Sequence, residues 1–388
     1  MKGFNLSRIA TSIQPSGIRK FFDLAARMDE VISLGLGEPD FVTPMNIRQA
    51  GIHSLEKGYT SYTASAGLLE LRQEITKYLK KKFQISYDEN EEIIVTVGAS
   101  QALDLAIRAI LNPGDEIIII EPCFISYAPL ITFAGGVVVP VATSSESQFK
   151  VQPQQIEDAI TPKTKAILLC SPNNPTGTLL SRDALEQIAT IVKNNNLIVL
   201  SDEIYAELVY DDAYTSFASI PSMRDYTILI SGFSKTFAMT GWRLGIIAAP
   251  VHFAELILKI HQYTMMCAPT MSQFAALKAL RSGTDDVVHM RNIYNKRRDF
   301  MVKSFNEMGL TCHVPEGAFY VFPSISPTGL SSATFAEQVL LKEKVAVVPG
   351  NIFGDSGEGF IRCSYAASMN HLIIATKRIQ CFLKNKSF

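Results

Sequence analysis

The chain has no excess of either charge: 36 Lys and Arg stand against 37 Asp and Glu, for a formal net charge of −1. A basic footprint for nucleic acid or an anionic membrane surface is therefore missing, and small molecules are the expected partners. The six cysteines, Cys123, Cys170, Cys267, Cys312, Cys363 and Cys381, are scattered with no C-x-x-C pair. That excludes a secretory disulfide framework and fits a reducing cytoplasm. His53, His252, His261, His289, His313 and His371 have no metal-ligand spacing with each other or with cysteine, so no metal site is expected. No G-x-G-x-x-G follows a strand and no G-x-x-x-x-G-K-[ST] occurs, which leaves nicotinamide and P-loop chemistry unsupported. There is no run of about 18 uncharged apolar residues, and the first residues lack a continuous apolar core, so neither export nor a membrane span is expected.

What is present is apolar sequence in short pieces. With 388 residues and 47% hydrophobic content, the chain can build a substantial core spread over about two domains. From Ile93 onward the runs IIVTV, EIIIIE, VVVPV, KAILLC, LIVLS, TILIS and GIIAA alternate with helical patterns, among them Ser100 to Ile110, Arg182 to Asn194 and Met271 to Leu280. Near-continuous apolar strands of this kind predict an α/β fold whose mainly parallel sheet is covered on both faces. From about Asp285 a long charged helix precedes GAFYVFP, VAVVPG and FIRCSYA, which predicts a second, smaller α+β domain. The boundaries expected are an N-terminal arm over 1–45 packing across both domains, a large domain over 46–285 and a small one over 286–388.

In a parallel α/β sheet, ligands bind outside the carboxyl ends of the strands. Lys235 lies at such an end, in SGFSKTFAMTGWRLG between TILIS and GIIAA. It is either a solvated strand-end lysine or a desolvated amine with a lowered pKa, nucleophilic toward aldehydes. Gly98, Ala99 and Ser100 mark a strand-to-helix turn that either holds a phosphate on free backbone N–H groups or simply caps the helix. Arg243 supplies a countercharge or a surface ion pair. Asp202 is a buried carboxylate or an N-cap; Tyr205 and Asn174 bond a ring hydroxyl or serve as core and turn residues. Phe124 stacks on a flat ring or fills the core, and Tyr62 is a turn tyrosine. Arg362, inside FIRCSYA, needs an anionic partner, either a substrate carboxylate or an internal acid.

Taken in order, GEPDF (37–41), the tyrosine before TASAG, VGASQAL, SPNNPTG, SDEIY, SGFSKTFAMTGWRLG, GAFYVFP, VAVVPG and FIRCSYA resemble the landmarks of the fold-type I aminotransferases that use pyridoxal 5′-phosphate. The resemblance covers essentially the whole chain and is closest to the class I gamma subgroup, including archaeal aromatic aminotransferases. It implies Lys235 as the Schiff-base lysine, Asp202 as the partner of the pyridinium nitrogen, and Asn174 and Tyr205 as partners of the cofactor's phenolic oxygen. It implies Phe124 on the ring, and Ala99, Ser100, Ser234 and Arg243 at the phosphate, with Ser231 a competitor for Ser234. Tyr62 would reach the phosphate of the neighbouring subunit in a homodimer. Arg362, Asn174 and the Gly37 backbone would hold the substrate carboxylate. The reaction implied is a ping-pong transfer of the amino group from an α-amino acid to a 2-oxo acid such as 2-oxoglutarate. Ser100 stands where dicarboxylate-using relatives often carry a lysine, and Phe124 with SYAP behind it is more like the aromatic-using ones. An aromatic or other neutral donor is therefore expected. Aspartate or alanine transamination, or a β-lyase on the same fold, are the alternatives, and a non-catalytic cofactor-binding module is a remoter one.

Overall fold

A computed structural model describes residues 4, 6–13, 28–211 and 213–385. The expected N-terminal arm lies partly outside the described residues.

Seven strands form the main sheet: β1 (Ile93–Thr96), β2 (Glu116–Glu121), β3 (Val137–Ala142), β4 (Thr164–Cys170), β5 (Ile198–Asp202), β6 (Thr227–Gly232) and β7 (Gly245–Ala248). They are ordered β1-β7-β6-β5-β4-β2-β3. All neighbours run parallel except β7, which is antiparallel to both β1 and β6. The predicted strands and their mainly parallel pairing are thus present.

The sheet is apolar on both faces because successive side chains point to opposite sides. In β2, Ile117 and Ile119 join the core beneath the helix Ala99–Ile110, whereas Ile118 and Ile120 join the core on the other face. The helix Arg182–Asn194 covers that second face. It is capped by the Ser181 side chain, which accepts from the Ala184 N–H, and it buries Leu185, Ile188, Ala189 and Val192 at helical spacing. Leu185, Ile188 and Val192 each contribute roughly 1.5–3 kcal/mol by leaving water.

A second core surrounds the 24-residue helix Thr284–Glu307 and a three-stranded antiparallel sheet of β8 (Tyr320–Val321), β9 (Val348–Pro349) and β10 (Ile361–Ser364), ordered β9-β10-β8. Asp285 and Asp286 in the first turn of the long helix complement its dipole. VAVVPG serves two sheets. Val345–Ala346 pairs in parallel with Ile32–Ser33, and after Val347 the next two residues pair with β10. Ile32–Ser33 is a short strand of the arm that the sequence does not announce. Beyond it the arm crosses to the main sheet, where Thr43 Oγ1 donates to Ala238 O at 2.5 Å. Asp40 forms a two-pronged pair with Arg297 of the long helix, at 2.8 and 3.0 Å. No helix among the described residues is long and apolar enough to cross a membrane.

Candidate active site

Strand direction decides what reaches the rim. β1, β2, β4, β5 and β6 end there, and β7, running the other way, begins there just after Arg243. The arm at Gly35 to Glu38 and the residues Tyr320 and Arg362 of the second sheet close the rim into one cavity of about 400 Å³. Gly37, Ala99, Ser100, Phe124, Asn174, Asp202, Tyr205, Ser234, Lys235, Arg243 and Arg362 all line it. Tyr62 does not, and its side chain is 80% exposed. Ser231 is also absent from the lining; its hydroxyl donates to Glu203 O at 3.4 Å, while Ser234 faces the cavity.

One end of the cavity is an anion cradle. Gly98 at φ +82° turns β1 into the helix Ala99–Ile110, whose first N–H groups have no intrahelical acceptor. The Arg243 guanidinium packs so closely on Gly98 that an added Cβ would lie 2.5 Å from Nη2. The positive φ favours glycine here, and a Cβ would push the guanidinium out of the cradle. Arg243 Nη1 bonds only a carbonyl, Thr240 O at 3.2 Å, and no carboxylate pairs with it among the described residues. Among the described residues Arg243 therefore forms no surface ion pair.

Opposite stands Asp202, 5% exposed at the end of β5. Its Oδ2 accepts from the Tyr127 hydroxyl at 2.6 Å and its Oδ1 from the Ile204 N–H at 3.2 Å. Burial raises its pKa, and these two donors pull it back. The carboxylate thus both caps a local turn and faces the cavity. Tyr127 was not picked out from sequence; its position three residues after Phe124, on the opening turn of a helix, was the available signal. Phe124 meets the Tyr127 ring edge-on at 5.6 Å.

Lys235 Nζ donates to Gly37 O at 2.5 Å. Burial, then the Arg362 and Arg243 charges, lower its pKa to about 8 against the partial opposition of Glu38 and Asp202. The solvated strand-end reading fails on this geometry.

Arg362 is 4% exposed, held by Asn174 Oδ1 at 2.9 Å and Gly35 O at 2.7 Å. Its guanidinium lies between the rings of Tyr320 and Phe353, 4.5 and 5.0 Å from their centroids. Its Nε is buried without a partner, and no carboxylate among the described residues neutralises it. A buried guanidinium left in this condition is built for an anion that arrives from outside. Tyr320, also not singled out from sequence, meets Tyr205 hydroxyl to hydroxyl at 2.8 Å. An added Cβ at Gly37 would come within 2.9 Å of the Tyr320 hydroxyl, which keeps that arm position a glycine.

The donor set fits pyridoxal 5′-phosphate: a cradle for a dianion at one end, a buried carboxylate for a ring nitrogen, a low-pKa amine between them, and a second anion site beside it. Among the described residues no cluster of three or more His, Cys, Asp or Glu is arranged to hold a metal.

The comparisons agree with the geometry. The model of the family described as aminotransferase class I and II matches residues 29–376. YugH of Bacillus subtilis, which carries only the general name aminotransferase, is 59% identical over 378 residues, 97% of this chain and 98% of its own. The aspartate aminotransferase of Pyrococcus abyssi is 46% identical over 377 residues, 96% of this chain and 97% of its own. The crystal structure of the aromatic aminotransferase from Pyrococcus horikoshii superposes with a TM-score of 0.91 at 44% identity, covering 95% of this chain and 99% of that one. The protein belongs to the class I and II aminotransferases, pyridoxal 5′-phosphate-dependent enzymes that transfer amino groups of amino acids.

Proposed function

We propose that this aminotransferase takes an aromatic or other neutral amino acid as donor and a 2-oxo acid such as 2-oxoglutarate as acceptor. The observation that carries the reading is the set of cationic side chains that line the cavity among the described residues: Lys235, Arg243 and Arg362. Each has a task, so none is left for a distal carboxylate. The remaining walls bring Leu36, Leu103, Phe124 and Tyr320, with the Glu38 carboxylate at Thr240, 3.1 Å from its hydroxyl. An acidic side chain entering there would meet the like charge of Glu38, whereas an aromatic ring meets apolar surface. Both aspartate and aromatic names occur among relatives of comparable identity, so the lining is the better guide.

Bound pyridoxal 5′-phosphate supplies an aldehyde carbon for the amino group and a ring that withdraws electrons from the substrate Cα. Arg243, Ser234 and the amides of Ala99 and Ser100 hold its phosphate. Asp202, oriented by Tyr127, keeps a proton on the ring nitrogen, Phe124 covers the ring, and Asn174 and Tyr205 bond its phenolic oxygen. Arg362, with Asn174 and the Gly37 backbone, clamps the substrate carboxylate and so fixes the Cα–H bond relative to Lys235. Lys235, whose amine is held near neutrality by burial, would take the substrate Cα proton at Nζ and release it again from the same atom. The lowered pKa suits both duties.

The same reading makes the enzyme a cytoplasmic homodimer built from a large domain over 46–285 and a smaller one over 286–388 joined by the arm. Exposed apolar side chains at Ile52, Leu55, Tyr59, Tyr62, Tyr263, Met265, Met266 and Met271 support a second copy on this face. The two segments are tied together by Thr270 Oγ1 to Ser61 O at 2.8 Å. Tyr62, outside its own cavity, then serves the neighbouring phosphate.

Half-reaction rates with phenylalanine, tyrosine, alanine and aspartate test the substrate. Phenylalanine or tyrosine is expected to react fastest; a strong preference for aspartate contradicts the reading. Pyruvate and ammonia released from cysteine without an acceptor would instead mark a β-lyase.

A further inference from the structure

Tyr320 touches both the carboxylate-site arginine and the tyrosine of the cofactor side. Its ring lies beneath the Arg362 guanidinium, 4.5 Å from centroid to Cζ, and its hydroxyl meets the Tyr205 hydroxyl at 2.8 Å. It is 1% exposed, and its neighbours fix it: Phe319 at 4.8 Å between centroids, Tyr205 edge-on at 5.9 Å, and Gly37, which has no room for a Cβ. Each tyrosine hydroxyl has a single proton to donate. If Tyr205 gives its proton to the phenolic oxygen of the cofactor, the 2.8 Å contact requires Tyr320 to donate to Tyr205. The direction of the chain is then fixed, Tyr320 to Tyr205 to the cofactor, with a positive charge behind the first ring.

We propose that Tyr320 is a positioning residue that polarises Tyr205 and thereby couples the carboxylate site at Arg362 to the electronic state of the bound cofactor. The inference rests on the reading of Tyr205 under Proposed function. Donors in series strengthen one another, so the Tyr320 proton makes Tyr205 a better donor to a negatively charged oxygen. Arg362 over the ring draws electron density from the phenol and adds to that effect; a carboxylate arriving on Arg362 offsets the charge and weakens it. Occupancy of the substrate site is in this way felt at the cofactor without movement of the backbone.

The test is a spectrophotometric pH titration of the holoenzyme's visible absorption band. Loss of one donor leaves more negative charge on the cofactor oxygen and holds the neighbouring nitrogen proton more tightly, so the midpoint rises. For Tyr320→Phe we expect a rise of about 0.3 unit, the loss of a tenth to a third of one charge-assisted hydrogen bond. The groups facing the two tyrosines are Arg362 and Cys170, and those facing Lys235 are Arg362, Glu38, Arg243 and Asp202; Tyr320→Phe leaves all of them in place. In a Tyr205→Phe background the same substitution is expected to move nothing further, since its route is gone. With 3-phenylpropionate bound as an unreactive carboxylate, the midpoint difference between wild type and Tyr320→Phe is expected to shrink. Tyr320→Phe keeps the ring and is expected to hold KM within twofold, whereas Tyr320→Leu is expected to raise KM by about threefold to tenfold. An unmoved midpoint in Tyr320→Phe, or an equal shift in the Tyr205→Phe background, overturns the coupling while leaving the enzyme's assignment intact. A holoenzyme with no pH-dependent visible band overturns the coupling and the underlying reading together.

Discussion

The Tyr127 hydroxyl stands 2.6 Å from Asp202 Oδ2, and both buried residues line the cavity. Tyr127 is thus the group that orients the carboxylate and offsets part of its burial. Removing it with Tyr127→Phe is expected to lower kcat by about tenfold, the equivalent of one hydrogen bond to a charged acceptor at ~1.5 kcal/mol. Asp202→Asn is expected to cost far more. Steady-state kcat for the two variants checks the order; equal losses would contradict it.

The amine of Lys235 is the second test. Its pKa of about 8 lies below the ordinary lysine value, so its neutral form grows as pH rises through 8 instead of through 10.5. At pH 7.5 roughly a quarter of the amines are neutral, against about a thousandth for an unperturbed lysine. Cofactor-free protein is expected to trap aldehydes at Lys235 with a midpoint near pH 8. Rates of reductive labelling, followed by peptide mapping, measure this; a midpoint above 10 would contradict the burial argument.

Much of this site was legible in the sequence, for a definite reason. Apolar runs identify the strands, and the rule that parallel strands present ligands at their carboxyl ends turns five run endings into one rim. Lys235, Asp202, Asn174 and Gly98 were found in that way. Tyr127 and Tyr320 were not, because their significance comes from partners 75 and 115 positions away in the chain. A single tyrosine in an apolar run carries no mark of which hydroxyl it will meet. The antiparallel direction of β7 was equally silent, since alternation shows that a strand exists but not which way it runs. The short strand at Ile32–Ser33 escaped because two residues are too few to show a period.

Arg362 offers a split between binding and chemistry. Arg362→Leu removes the buried cation, leaves Asn174 Oδ1 and Gly35 O without their donor, and is expected to raise KM for amino acids by about 100- to 1000-fold, a few kcal/mol. Unaltered KM values would contradict the assignment.

Glu203, next to Asp202 but on the opposite side of the strand, bears on stability. Burial raises its pKa to about 7, against the help of Ser216, Ser201 and Tyr214. Its Oε1 accepts from Ser216 at 2.7 Å and from Ser201 at 2.8 Å. The folded protein therefore holds this proton more tightly than the unfolded chain, whose glutamate titrates near 4.5. The stability that proton brings is complete below about pH 4.5 and lost as pH rises through 7, a change of ~3 kcal/mol. Glu203→Gln does not ionise, so it is expected to match wild type near pH 5 and exceed it at pH 8. Denaturant melts at the two pH values decide; parallel profiles would contradict the raised pKa.

The central claim is that Lys235 carries the chemistry. Absorption spectra and single-turnover rates of the Lys235→Ala protein, reconstituted with pyridoxal 5′-phosphate and mixed with phenylalanine, test it most directly. The account expects loss of the visible band of the lysine-bound cofactor and a fall in turnover of about 10⁴-fold or more, the size of a lost acid–base group. An unchanged spectrum and rate would contradict it.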